Sequence, residues 1–194
     1  ALNSASHVGG PSPRQLLRRS LLAAREGFAS GPSGPAAQAA LAVQLVSVLA
    51  RLEPQCLGLY WPVRFEFNAI TALANDAGLA GVTLALPYSR REPRAMHYRR
   101  WDGQTPRAVD DCGIAASDGA ELVPDVVLAP CVGFTRDGFR LGYGGGYFDR
   151  WMAAHPQVTA VGVAWSVGEV GAEAFGVQPH DQPLMLVVTD TGVV

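Results

Sequence analysis

Apolar positions recur along the chain in two rhythms. Over residues 13–28, Leu16, Leu17, Leu21 and Leu22 fall at helical spacing with arginines on the other faces, which predicts an amphipathic helix. Pro13 suits the first turn of such a helix, where a missing N–H leaves no bond unmade. Residues 30–35, Ser-Gly-Pro-Ser-Gly-Pro, predict a loop, and the Ala-, Leu- and Val-rich stretch 36–52 predicts a second helix. Beyond it, short apolar runs alternate with helical patterns. Strands are expected over 56–61, 82–86 (stopped by Pro87), 95–101, 126–129, 158–164 and 184–188. Helices are expected over 68–77, ending near Gly78, and over 148–155, stopped by Pro156. Residues 1–12 read as a frayed end, and 13–194 as one domain. Strands in alternation with helices imply an α/β fold with a largely parallel sheet.

Composition narrows the function. The 194 residues are 48% hydrophobic with a net charge of −2, which favours a buried core over disorder. No run of 18 apolar residues and no signal pattern is seen, so no membrane span is expected and a cytoplasmic location is. Cys56, Cys112 and Cys131 form no Cys-x-x-Cys pair and are expected as small core residues rather than zinc ligands. All 15 basic residues are arginine. Without lysine, a Gly-Lys-Ser/Thr phosphate loop and any Schiff-base mechanism are excluded. The near-neutral balance argues against nucleic acid as a partner.

The most informative segment is 138–150, Gly-Phe-Arg-Leu-Gly-Tyr-Gly-Gly-Gly-Tyr-Phe-Asp-Arg. It follows a predicted buried strand and leads into a predicted helix, the place where open α/β sheets bind ligands. Glycines 142, 144, 145 and 146 let backbone N–H groups converge on an anion, and the helix start adds partial positive charge. Arg140 can pair with phosphate oxygens, and Asp149 is the kind of carboxylate that holds magnesium beside them. The competing reading is a flexible turn. The dinucleotide fingerprint fits poorly, since Tyr147 stands where its third glycine belongs.

Together with 124–130 (Pro-Asp-Val-Val-Leu-Ala-Pro) and Gly133-Phe134, this segment resembles the 5-formyltetrahydrofolate cyclo-ligase family. The likeness extends to Arg14 and Arg18, to 62–66 (Pro-Val-Arg-Phe-Glu), to 98–101 (Tyr-Arg-Arg-Trp), and to His180-Asp181 with 186–189 (Leu-Val-Val-Thr). The resemblance implies a single three-layer Rossmann-like α/β domain, its largely parallel sheet flanked by helices. It implies ATP- and Mg2+-dependent closure of 5-formyltetrahydrofolate to 5,10-methenyltetrahydrofolate, releasing ADP and phosphate.

The site residues follow from the same resemblance. Arg140 and Tyr147 would be catalytic. Arg14, Arg18, Arg140, Leu141, Gly142, Tyr143, Gly144, Gly145, Gly146, Tyr147, Phe148 and Asp149 would contact ATP. Glu66, Trp101 and Tyr147 would contact the folate, and Asp149 and Asp181 the magnesium. Partners would be the folate and ATP, with no nucleic acid or membrane, in a monomer or weak homodimer. The arginines at 90, 91, 94, 99, 100 and 107 form a solvated loop or meet a folate glutamate tail. Four places depart from the family pattern: Arg14 for lysine, Thr135 for aspartate, 115–117 (Ala-Ala-Ser) for Pro-Glu-Pro, and Met185 for a second aspartate. They leave open a divergent member acting on another formyl or amide compound, or a non-catalytic nucleotide- or folate-binding protein.

Overall fold

The structure, a computed structural model, describes residues 10–194. Most of the expected frayed end therefore lies outside the described residues. Helix α1 (Pro13–Ala29) opens on a capping box: the Ser12 hydroxyl accepts the Gln15 N–H, and the Gln15 side chain accepts the Ser12 N–H. Then follow α2 (Gly34–Leu52), β1 (Cys56–Gly58), α3 (Ala69–Leu73), β2 (Thr83–Arg90) and β3 (Ala95–Trp101). Short strands β4 (Ala108–Val109), β5 (Ala115–Ala116) and β6 (Glu121–Leu122) precede β7 (Val126–Pro130). A small hairpin, β8 (Gly133–Phe134) and β9 (Arg140–Leu141), leads to α4 (Tyr147–Ala154), β10 (Thr159–Val163), α5 (Ala172–Phe175), β11 (Leu186–Thr189) and β12 (Gly192–Val193).

Eight strands form the main sheet in the order β12-β11-β10-β7-β1-β2-β3-β6. From β11 to β2 all pairings are parallel, and antiparallel strands complete both edges. The parallel part is the expected α/β sheet. Period-two alternation builds its two faces. Val126 and Leu128 of β7 join Val161, Val163 and Val188 under α2, whereas Val127 and Ala129 join Val187, Tyr98 and Trp151 under α4. The result is three layers.

Three predicted elements are corrected. The strand from Cys56 pairs only as far as Gly58. The helix expected over 68–77 spans Ala69–Leu73, capped by Asn68, with a separate 3-10 turn at Ala77–Leu79. Pro87 does not stop β2, which runs on to Arg90. The Thr83 N–H and Ala85 carbonyl bond toward the β1 side, so the next odd residue, Pro87, also faces that side. β1 has already ended there, and no N–H is needed.

Helix α2 also alters a sequence expectation. By length and composition it is apolar enough to cross a membrane, although no unbroken apolar run of that length exists. Its Leu41, Leu45 and Leu49 are buried in the core beside the sheet, which accounts for its apolar stripe. Leu45→Ala should cost about 2–5 kcal/mol, read as a lower denaturation midpoint, because the well-packed face leaves a cavity.

Candidate active site

A cleft of ≈ 960 Å³ opens where β1, β2 and β7 end and β3 begins. One wall is the glycine loop between β9 and α4. Gly146 caps α4 in the left-handed conformation (φ 68°), and Gly144 is also left-handed (φ 98°), so L side chains at either position would be strained. Two of the loop carbonyls are taken up by arginines. Arg18 Nε donates to the Gly142 carbonyl (2.6 Å) and Arg150 to that of Gly145 (2.7 Å). The first N–H groups of α4 have no intrahelical partner, so this corner presents donors and positive charge together. Arg140 adds more. It is buried, with one terminal nitrogen on the Pro130 carbonyl (2.9 Å), its guanidinium 4.8 Å from the Phe148 ring, and its Nε without a partner among the described residues.

Arg14 and Arg18 reach this corner from the start of α1, as their one-turn spacing predicts. Arg14 grips Asp181 through two bonds, 2.6 and 3.2 Å, and its guanidinium lies 4.8 Å from the Phe175 ring. Asp181 is almost fully buried and also accepts the Gln178 N–H (2.7 Å). Its carboxylate is thus committed to Arg14. Asp149, in the first turn of α4, accepts only the Gln182 N–H (3.2 Å) among the described residues, leaving one oxygen open. No group of three His, Cys, Asp or Glu side chains suited to a metal occurs among the described residues. The donor set nonetheless fits magnesium, which uses one or two carboxylates and takes its remaining ligands from phosphate and water.

The opposite wall holds Glu66. Its side chain is 4% exposed, yet it borders the cleft. One oxygen accepts the Val63 N–H (2.9 Å) and the other the Tyr143 hydroxyl (2.8 Å). Burial pushes this carboxyl above its usual range, while those two donors and the charges of Arg25 and Arg140 pull it back. Tyr143 is pushed up to about 12, mainly by burial and then by the Glu66 charge. A carboxylate in a dry wall suits a flat ligand with paired N–H groups, because each oxygen keeps lone pairs to offer.

Between the two walls lie Tyr60, Trp61, Met96, Cys112 and Ile114, with Tyr147 from α4. Trp101 is not among the lining residues. It is buried, gives its indole N–H to the Gln104 carbonyl (2.8 Å), and meets Trp61 edge to face at 6.4 Å. Of these two tryptophans Trp61 is the one that lines the cleft, and sequence reasoning missed it. Its position as the last residue of a predicted strand was the available signal. Arg25 was also missed, although it lies two helical turns from Arg18 and so shares its face.

Three of the departures lie away from the cleft. Met185 is 63% exposed and outside it. Thr135 closes the β8–β9 turn, accepting the Phe139 N–H (3.2 Å). Ser117 bonds the Arg100 carbonyl next to β5. Only Arg14 touches the site.

A donor-rich corner beside an aromatic slot with a buried carboxylate, at the carboxyl ends of a parallel sheet, defines an α/β protein whose cleft suits an anionic ligand beside a flat one. Known proteins narrow this class. The model of the 5-formyltetrahydrofolate cyclo-ligase family matches residues 11–190, and the chain belongs to that family. A 67-residue stretch is 39% identical to the 5-formyltetrahydrofolate cyclo-ligase of Mycoplasma pneumoniae, covering 34% of this chain and 39% of that protein. The chain thus aligns with about two fifths of that curated relative's length. Two solved structures share the fold. A 5,10-methenyltetrahydrofolate synthetase from M. pneumoniae has a TM-score of 0.71 and 22% identity, over 91% of this chain and 98% of that one. That of Aquifex aeolicus has a TM-score of 0.72 and 25% identity, over 94% and 92%.

Proposed function

We propose that the protein closes 5-formyltetrahydrofolate to 5,10-methenyltetrahydrofolate at the expense of ATP. The observation that carries this reading is one cleft joining the glycine loop, with Arg140, to the buried Glu66, in a chain of this family. The formyl oxygen is a poor leaving group as it stands. Its attack on the γ-phosphorus makes an O–P bond and expels ADP, so that oxygen can later leave as phosphate. N10 then attacks the formyl carbon, and departure of phosphate together with the N10 proton leaves the cationic methenyl bridge.

The protein's part is to position both reactants and meet developing charge. Arg140, Arg18 and the N–H groups of Gly144–Gly146 hold the phosphates. Arg14 is steered toward them by Asp181. Glu66 takes the pterin N–H groups, with Trp61 and Tyr147 against the rings. Asp149 would hold the magnesium, which neutralises phosphate charge when bound. ATP and reduced folates meet in the cytoplasm, where we place the protein.

Purified protein with 5-formyltetrahydrofolate and MgATP should show near-ultraviolet absorbance of the methenyl product growing with time. Omitting ATP or chelating magnesium should stop it. No growth beside an active control enzyme would overturn the reading and favour another formyl or amide substrate.

A further inference from the structure

We propose that Arg25 is a positioning residue that binds Glu66, Tyr143 and the loop between them into one unit, fixing the folate-facing carboxylate before substrate arrives. The inference rests on the cyclo-ligase reading for the identity of the ligand, though not for the geometry. Arg25 is the one arginine of α1 that is fully buried, at 3% exposure. A buried guanidinium is costly unless its donors are all employed. Here they reach three separate segments. One terminal nitrogen donates to the Tyr143 hydroxyl (2.8 Å) and the Arg64 carbonyl (3.1 Å), and the other to the Cys131 carbonyl (3.3 Å) just beyond β7. Glu66 lies 3.9 Å away, and the Tyr143 hydroxyl passes its own proton on to that carboxylate.

The loop that presents Glu66 needs such an anchor. Arg64 and Phe65 are adjacent non-glycine residues with φ of 47° and 63°. Two strained neighbours persist only where the surroundings hold them. Both carbonyls are held by donors on other elements, that of Arg64 by Arg25 and that of Phe65 by the Trp165 indole (2.8 Å). An arginine serving the fold alone would stop at carbonyls. Arg25 goes on to the two cleft residues that link the folate wall with the glycine loop. Four groups face the Glu66 carboxylate: Arg25 from α1, Tyr143 and Arg140 from the loop region, and Tyr60 from beyond β1. Of these, Arg25 and Arg140 carry charge that favours its ionised form. Loss of the Arg25 charge therefore moves the Glu66 titration upward, and the acid limb of folate kcat/KM to higher pH.

The test compares wild type with Arg25→Gln, Arg25→Lys and Tyr143→Phe in the full chain, with melting curves alongside. Arg25→Gln should raise KM for 5-formyltetrahydrofolate by about tenfold or more, as expected for loss of charged hydrogen bonds, while leaving KM for ATP nearly unchanged. Its acid limb should shift upward. Arg25→Lys should recover part of the effect, and Tyr143→Phe should show a smaller change of the same kind. If Arg25→Gln does not fold, the other two variants decide by the same readouts. Equal rises in both KM values, or a lower melting temperature with kinetics and pH profile unchanged, would overturn the proposal. Inactive wild type would instead overturn the cyclo-ligase reading. Positioning is then read in ligand-free protein from the Glu66 carboxyl titration by NMR. An upward move in Arg25→Gln or Tyr143→Phe supports it, and an unmoved midpoint in both overturns it.

Discussion

Arg140→Ala should leave a folded protein whose turnover of 5-formyltetrahydrofolate falls about 10²–10³-fold, the usual loss when a preorganised donor to a developing oxyanion is removed. Three features make Arg140 the sharpest case among the arginines of the cleft. Its guanidinium is buried against Phe148, where charge is screened little, and its bond to the Pro130 carbonyl presets its direction. Its Nε has no partner among the described residues, so hydrogen-bonding capacity remains. Truncation also leaves the Pro130 carbonyl without its donor, at about 1–3 kcal/mol, so the melting temperature should be measured with the rate. Arg140→Lys restores a charge but not the planar fork and should recover only part of the activity. Turnover within about tenfold of wild type in Arg140→Ala would remove Arg140 from the phosphate site.

Glu66→Gln should strike the other substrate. The carboxylate now accepts on both oxygens, from Val63 and from Tyr143. An amide turns one of those ends into a donor facing a donor, and the Arg25 charge loses its neighbouring counter-charge. We expect kcat/KM for 5-formyltetrahydrofolate to fall about 10–100-fold with KM for ATP little altered, in keeping with charged hydrogen bonds. The pH dependence has a definite sign. Burial raises the Glu66 pKa, and the ionised form is the acceptor, so wild-type kcat/KM falls as pH drops through that raised value. The Gln variant lacks that limb. An unchanged acid limb in Glu66→Gln would assign the titration to another group.

The legible parts of the molecule were those with local causes. α1 follows from its helical periodicity, the core of β7 from an unbroken apolar run between prolines, and the glycine loop from its own composition. The illegible parts depend on neighbours that the chain does not announce. Whether Pro87 breaks a strand turns on how far β1 extends beside it. Trp61 and Trp101 touch, and only the fold decides which of them faces the cleft and which supports it. Asp181 reads as a metal-seeking carboxylate, and nothing in the sequence announces its pairing with Arg14, 167 residues away. Met185 resembles a missing acidic group until its exposure is known.

That separation of Arg14 from Asp181 has a consequence for synthesis. Synthesis runs from the N-terminal side, so Arg14 is made 167 residues ahead of the carboxylate that orients it. The same holds for α2, whose core partners include Val188 of β11. A nascent chain that has not reached residue 181 therefore carries an apolar helix with part of its core missing and, beside the glycine loop, one arginine unaimed. Non-local contacts of this kind close late, and apolar surface exposed in the meantime favours aggregation or chaperone binding. In this fold β11 and the loop before it complete the core and the site together.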